Sequence, residues 1–127
     1  MAPQFSGSYT VAVTPFTDDL SAIDVDRLKA FLDWQLEENV PGIIMLGTTG
    51  EFLSVTPEER RLLVDETVKH IDGRIPVLVG TADASTTKAV AQSVEAEDLG
   101  ADGLMIISPY YYTPTDDEVY RYFEAIV

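Results

Sequence analysis

The chain has 127 residues, 46% of them hydrophobic, no cysteine, and a formal net charge of −14 from 22 acidic against 8 basic side chains. This is the size and make-up of one globular domain spanning 1–127; the absence of cysteine excludes disulfides, thiolate metal sites and a cysteine nucleophile, and fits a reducing, cytoplasmic setting. The charge repels nucleic acid and anionic membrane surfaces at long range, no apolar run approaches the roughly 20 residues of a membrane helix, and residues 1–5 lack the basic-then-apolar order of a signal peptide. The acids fall mostly on the outer faces of helices, a solubility surface, with adaptation to high salt as the alternative.

In chain order, residues 8–14 are rich in β-formers and stop at Pro15, which predicts strand one. Residues 16–23 are a loop. Asp24 caps a helix running to about Glu38, with Leu28, Phe31, Leu32 and Leu36 as its buried stripe. Asn39, Pro41 and Gly42 end it. Residues 42–46 read as a buried strand that feeds the turn Gly47-Thr48-Thr49-Gly50-Glu51-Phe52. Thr56 caps the second helix, with Pro57 at the first helical position and Glu59 closing a capping box. Leu63, Val64, Thr67, Val68 and Ile71 make its apolar face, and Gly73 closes it. Residues 76–80 are strand three, and a third helix runs from near Ser85 to Leu99, burying Val90, Val94 and Leu99. Residues 103–107 are strand four. The loop 108–114 carries Tyr110, Tyr111 and Tyr112, and Thr115 with Glu118 forms a second capping box for a helix that runs to the end.

The pattern is βα repeated four times, with near-continuous apolar strands of the kind found in parallel sheets. Crossovers should be right-handed. Two architectures accept it: an open, doubly wound, flavodoxin-like sheet, and half of a (βα)8 barrel, whose full length is roughly 250 residues. In both, ligands bind beyond the carboxyl ends of the strands, which makes the 47–52 turn the candidate site. Its two hydroxyls and free backbone N–H groups, beside a helix N-terminus, suit an anion. Gly47 and Gly50 allow a tight turn and close backbone approach. A turn that uses small residues only for packing accounts for the same letters. Glu51 reads as a brace for the loop or the next helix, and Thr81 and Asp83 as structural. His70 reads as a complement to a helix C-terminus, and Trp34 as packing or interface. The tyrosine trio reads as an aromatic interface patch, in which a tyrosine at the site's mouth can also pass protons.

Five segments carry a resemblance: Val13-Thr14-Pro15-Phe16, Gly47-Thr48-Thr49-Gly50-Glu51, Gly73-Arg74-Ile75-Pro76-Val77, Ser108-Pro109-Tyr110-Tyr111, and Tyr120 to Ile126. Together, in this order and spacing, they resemble the N-terminal half of the dihydrodipicolinate synthase/N-acetylneuraminate lyase family over nearly the whole chain. The resemblance implies a (βα)8 barrel and a lyase or aldolase that joins pyruvate, or another 2-oxo acid, to a lysine as a Schiff base. It implies no metal and no dissociable cofactor. By resemblance, Thr48 and Thr49, with Gly47 and Gly50, hold the substrate carboxylate. Thr48 also relays protons, and Tyr111 reaches across a tight dimer interface into the neighbour's site, so a homo-oligomer is expected.

The family's imine-forming lysine lies on strand six and its catalytic tyrosine on strand five, both beyond helix four, where this chain ends. Lys29, Lys69 and Lys88 all fall within predicted helices, so the chain alone is expected to be inactive. An open half-barrel also exposes its inward side chains. About ten of them at roughly 1.5 kcal/mol each forfeit on the order of 15 kcal/mol, comparable to a domain's whole stability. Three outcomes follow: a complementing C-terminal half covers them, two copies close on each other as a non-catalytic module, or the strands rearrange into an open flavodoxin-like sheet. Within the family a dihydrodipicolinate-type synthase is the first expectation, and a 2-keto-3-deoxy sugar acid aldolase or dehydratase the alternative.

Overall fold

The computed structural model describes residues 5–127; the reading of the first four residues as free of a signal segment lies outside the described residues. Eight elements alternate: β1 (Thr10–Val11), α1 (Val25–Glu37), β2 (Ile43–Met45), α2 (Pro57–Ile71), β3 (Val77–Gly80), α3 (Thr86–Asp98), β4 (Gly103–Met105) and α4 (Asp116–Glu124). The sheet order is β1-β2-β3-β4 and every pairing is parallel. Sequential order decides between the two architectures. Crossovers of one hand between successive strands place every helix on the same face, whereas a flavodoxin-like sheet reverses its order at a switch point and carries helices on both faces. The fold is half of a (βα)8 barrel, and the flavodoxin-like alternative is excluded.

Burial follows the strand pleat, in which successive side chains point to opposite faces. Ile43, Met45, Val77 and Val79 point to the helices and are at most 2% exposed. They meet Leu28 and Leu32 of α1 and Leu63, Val64 and Ile71 of α2 in one core. The opposite parity lines the concave face. Ile44 and Leu78 are paired in register and only half-buried. Val11 and Met105, from the two edge strands, converge on the space beside Gly47. Phe5 lies over Gly103 and Tyr9 over Gly42, their rings edge to face at 6.2 Å.

Both edge strands are shorter than the sequence implies, since each has a neighbour on one side only. β1 covers only Thr10–Val11, with Ala12 N–H still donating to Ile44 O at 2.9 Å, and β4 stops at Met105 rather than at residue 107. The expected burial in α3 is corrected. Ala89, Ser93 and Ala96 face the sheet, Val90 and Leu99 are half-buried, and Val94 is 52% exposed. Small residues let this helix approach the strands closely, and the Ser93 hydroxyl is satisfied by Thr81 Oγ1 at 2.8 Å and the Ala89 carbonyl at 2.7 Å. Helix α2 ends one step earlier than Gly73: Asp72 adopts the left-handed conformation at φ 48°, followed by Gly73 at φ 69°. Both capping boxes form as read, Thr56 with Glu59 and Thr115 with Glu118.

Candidate functional site

Beyond the end of β2 the chain makes a compact turn. Gly50 N–H donates to Gly47 O at 3.0 Å, Glu51 N–H to Thr48 O at 3.1 Å, and Ser54 N–H to Glu51 O at 2.8 Å. These bonds do not use the hydroxyls or the backbone N–H groups of Thr48 and Thr49. Both threonines are exposed, while Gly47 and Gly50 on either side are buried. The result is a short row of donors held above the carboxyl end of the sheet.

The glycines act through space rather than through conformation. Neither takes a positive φ; the left-handed positions are Leu46 at 58° and Glu51 at 55°, just outside them. A Cβ on Gly47 would lie 2.7 Å from Val11 Cγ1, and one on Gly50 would lie 3.0 Å from the Ala12 carbonyl oxygen. The close backbone approach expected of these glycines is present, and it does not rest on a left-handed conformation. At the N-terminus of α2 the Glu59 carboxylate accepts from Thr56 N–H at 2.8 Å.

Strand ends on either side of β2 brace the turn. Thr14 Oγ1 donates to Gly50 O at 2.6 Å. Gly80, at the end of β3, leaves room for the Leu46 carbonyl. Arg60, 6% exposed, donates from Nη2 to Gly80 O at 2.8 Å, and its Nε has no partner among the described residues. Burial pushes the Arg60 guanidinium down from its usual value, partly offset by Glu95 and Asp83 nearby. Sequence reading passed over Thr14, Gly80 and Arg60 as site residues. Thr14 and Gly80 are strand-end residues, a position that flags them in this fold class; nothing local marks Arg60.

The tyrosine loop sits beside the turn. Phe52 meets Tyr110 edge to face at 6.2 Å. Tyr111 is 78% exposed and stacks edge-on with Tyr112 at 4.8 Å. It lines an open cleft of 710 Å³ with Pro109, Pro114, Arg121 and Tyr122; no hydrogen bond joins it to Thr48 among the described residues. Tyr122 is buried, its hydroxyl donating to Asp83 O at 2.9 Å, and burial raises its pKa. The Asp83 carboxylate accepts from Ser85 N–H at 2.7 Å, and the hydroxyl of Thr81 is taken by Ser93, so both have structural partners. Glu51 contributes its backbone to the turn. His70 Nε2 lies 2.7 Å from Asp33 Oδ1, joining α2 to α1, and Trp34 is 54% exposed with its ring edge-on to Phe31. Lys29 pairs with Glu66 and Lys69 with Asp65, each on the helical layer, and Lys88 is exposed on α3.

A parallel half-barrel whose turn after β2 offers a cluster of donors belongs to the class of α/β-barrel proteins that bind ligands at the carboxyl ends of their strands. The family model described as the Dihydrodipicolinate synthetase family matches residues 4–127. The chain belongs to this family. It is 44% identical over 122 residues to the 4-hydroxy-tetrahydrodipicolinate synthase of Kosmotoga olearia, covering 96% of this chain and 41% of that protein. The Rhizobium meliloti protein of the same name is 43% identical, with the same coverage of 96% and 41%. YagE from E. coli K12, a prophage protein of the family solved with pyruvate, superposes with a TM-score of 0.93 at 33% identity, over 98% of this chain and 41% of that one. The chloride-inhibited dihydrodipicolinate synthase of Acinetobacter baumannii, also complexed with pyruvate, gives 0.88 at 35% identity, over 91% and 40%. The chain therefore spans about two fifths of the length of the curated relatives it matches.

Proposed function

We propose that this chain supplies the 2-oxo-acid-binding half of a pyruvate-dependent, Schiff-base lyase or aldolase similar to 4-hydroxy-tetrahydrodipicolinate synthase. The observation that carries the reading is the exposed Thr48–Thr49 pair, with hydroxyls and N–H groups outside the turn's internal bonds, at the carboxyl end of β2. Two similar proteins solved with pyruvate support the ligand class. The turn holds the carboxylate by charge-assisted hydrogen bonds. Thr48 passes protons between substrate and a tyrosine, and Tyr111, exposed on the loop after β4, serves a neighbouring copy in a homo-oligomer. The imine-forming amine comes from outside these residues, since all three lysines sit on helices. That amine attacks the ketone, water leaves, and the protonated imine accepts electrons as the carbon–carbon bond forms or breaks. On its own the chain, read as a single domain, binds without turning over. The synthase reaction is the first assignment, and a 2-keto-3-deoxy sugar acid aldolase or dehydratase the second.

Titrating pyruvate into the ¹⁵N-labelled chain tests the reading. Saturable shifts centred on the amides of Thr48, Thr49 and Gly50 are expected. Shifts that are absent, or spread evenly over the chain, reject it. Pyruvate with borohydride should leave the chain unmodified and should label a lysine once a complementing C-terminal half is present.

A second reading has its own observation. Among the described residues the concave face carries apolar side chains without a covering layer, half-buried Ile44 and Leu78 among them, and β1 and β4 each have a free edge. A module in which two copies close on each other would cover both.

A further inference from the structure

The structure points to a clamp on the Thr48–Thr49 turn, and we propose that Thr14 and Gly80 are its positioning residues, Gly80 acting from the end of β3 and Thr14 from the segment that follows β1. The inference rests on the turn being the carboxylate site. It begins at Leu46, a branched side chain only 1% exposed at a φ of 58°. An L-residue in this left-handed region is strained, and it persists when its surroundings over-determine it. Gly80 is what surrounds it. A Cβ built on Gly80 would lie 2.1 Å from the Leu46 carbonyl oxygen, 2.8 Å from its carbon and 3.4 Å from Gly47 N. The Leu46 peptide therefore rests on the bare Cα of Gly80, and any side chain there would displace it. Gly80 is in turn fixed through its carbonyl by Nη2 of Arg60 at 2.8 Å.

The other end of the turn is gripped from the segment that follows β1. The Thr14 hydroxyl, 8% exposed, donates to Gly50 O at 2.6 Å. Gly50 also lies close to the Ala12 carbonyl. The peptides on both sides of Thr48–Thr49 are thus held by β3 and by the segment after β1, while the threonines themselves stay exposed. Neither Thr14 nor Gly80 donates to a ligand at the turn. Their effect passes through the backbone, setting where the two hydroxyls and N–H groups point. Donor rows bind well only when held in place before the ligand arrives.

Thr14→Val removes the donor at nearly constant shape, Thr14→Ser keeps it, and Arg60→Met frees the Gly80 carbonyl without adding an atom beside Leu46. Each is compared with the unsubstituted chain for ligand-free amide shifts, pyruvate dissociation constant and urea midpoint. Losing the bond should weaken pyruvate about fivefold in Thr14→Val, the value of one ordinary hydrogen bond, and move the Thr49 and Gly50 amides. Thr14→Ser should bind within about twofold of the unsubstituted chain, since the donor is kept. A lower urea midpoint with unchanged pyruvate binding and unchanged turn amides would make Thr14 merely structural and overturn the clamp. If the unsubstituted chain shows no pyruvate-dependent shifts, the carboxylate reading falls by itself, and the clamp stands or falls on the ligand-free turn amides. If Thr14→Val does not fold, Arg60→Met decides: weakened pyruvate binding with displaced turn amides supports the clamp, and turn amides left in place overturn it.

Discussion

Thr67 lies on the sheet-facing side of α2, fully buried, and its hydroxyl has no partner among the described residues. A buried hydroxyl without a bond loses its hydration for nothing. Thr67→Val replaces it with a methyl of similar shape, so the variant should be more stable by about 1 kcal/mol, read as a higher urea midpoint at unchanged slope. The sequence marked Thr67 as part of an apolar face, and the site it occupies is apolar. At the turn, Thr48→Val removes a donor from the exposed row without touching the core. Pyruvate binding should weaken by about tenfold, the value of a hydrogen bond to a charged group, with the urea midpoint unchanged. Equal pyruvate affinity in the two proteins would remove Thr48 from the site. In the loop after β1, Thr17 Oγ1 donates to Asp19 Oδ1 at 2.6 Å and the Ser21 hydroxyl at 2.8 Å. These bonds hold the Asp19 carboxyl down at about 2. A depressed folded-state pKa adds stability that is complete above the ordinary carboxylate range and is lost as the pH falls through about 2. Carbon-detected titration of Asp19 should place its midpoint well below those of the other exposed acids.

The helices obey local rules that can be read along the chain. Thr56 accepts from Glu59 N–H at 3.2 Å while Pro57 needs no donor partner, so α2 starts where the letters place it. Thr56→Ala should cost about 1 kcal/mol, seen as a lower thermal midpoint. At α4 the N–H and hydroxyl of Thr115 hold the Glu118 carboxyl below its usual range. The benefit is complete above the ordinary carboxylate range and is lost as the pH falls through the depressed folded-state value below it, so the stability gap between the chain and Glu118→Gln should close there. A constant gap would assign the effect to shape rather than charge. Element α3 was harder to read. Its valines look like the buried stripe, yet Ala89, Ser93 and Ala96 face the strands. Helical periodicity ranks residues by apolarity, whereas close approach of a helix to a sheet selects small ones.

The whole molecule has one covered face and one open one. Its helix-side core is complete, with Leu28, Leu32, Ile43, Met45 and Leu63 at 0% exposure. Its concave face is not, and apolar surface of this kind drives association. Light scattering on the purified chain should give a mass above that of a monomer, and Leu78→Glu, which puts a charge on the concave face, should return it to a monomer while leaving the helical signal intact. A monomer that tolerates Leu78→Glu without change would mean that the open face needs no cover. Helix caps and element types were determined by the sequence alone, because each depends on residues within a turn or a strand of one another; the βα repeat and the family resemblance were determined by the order and spacing of such segments along the chain. Only the tertiary structure decided that the sheet runs in sequential order and leaves a concave face open. It alone brought Thr14 to Gly50, 36 residues away, and set the Leu46 carbonyl on Gly80. It alone moved the burial in α3 to its small residues. Those outcomes depend on how closely separate strands and helices approach, a quantity that no single stretch of sequence carries.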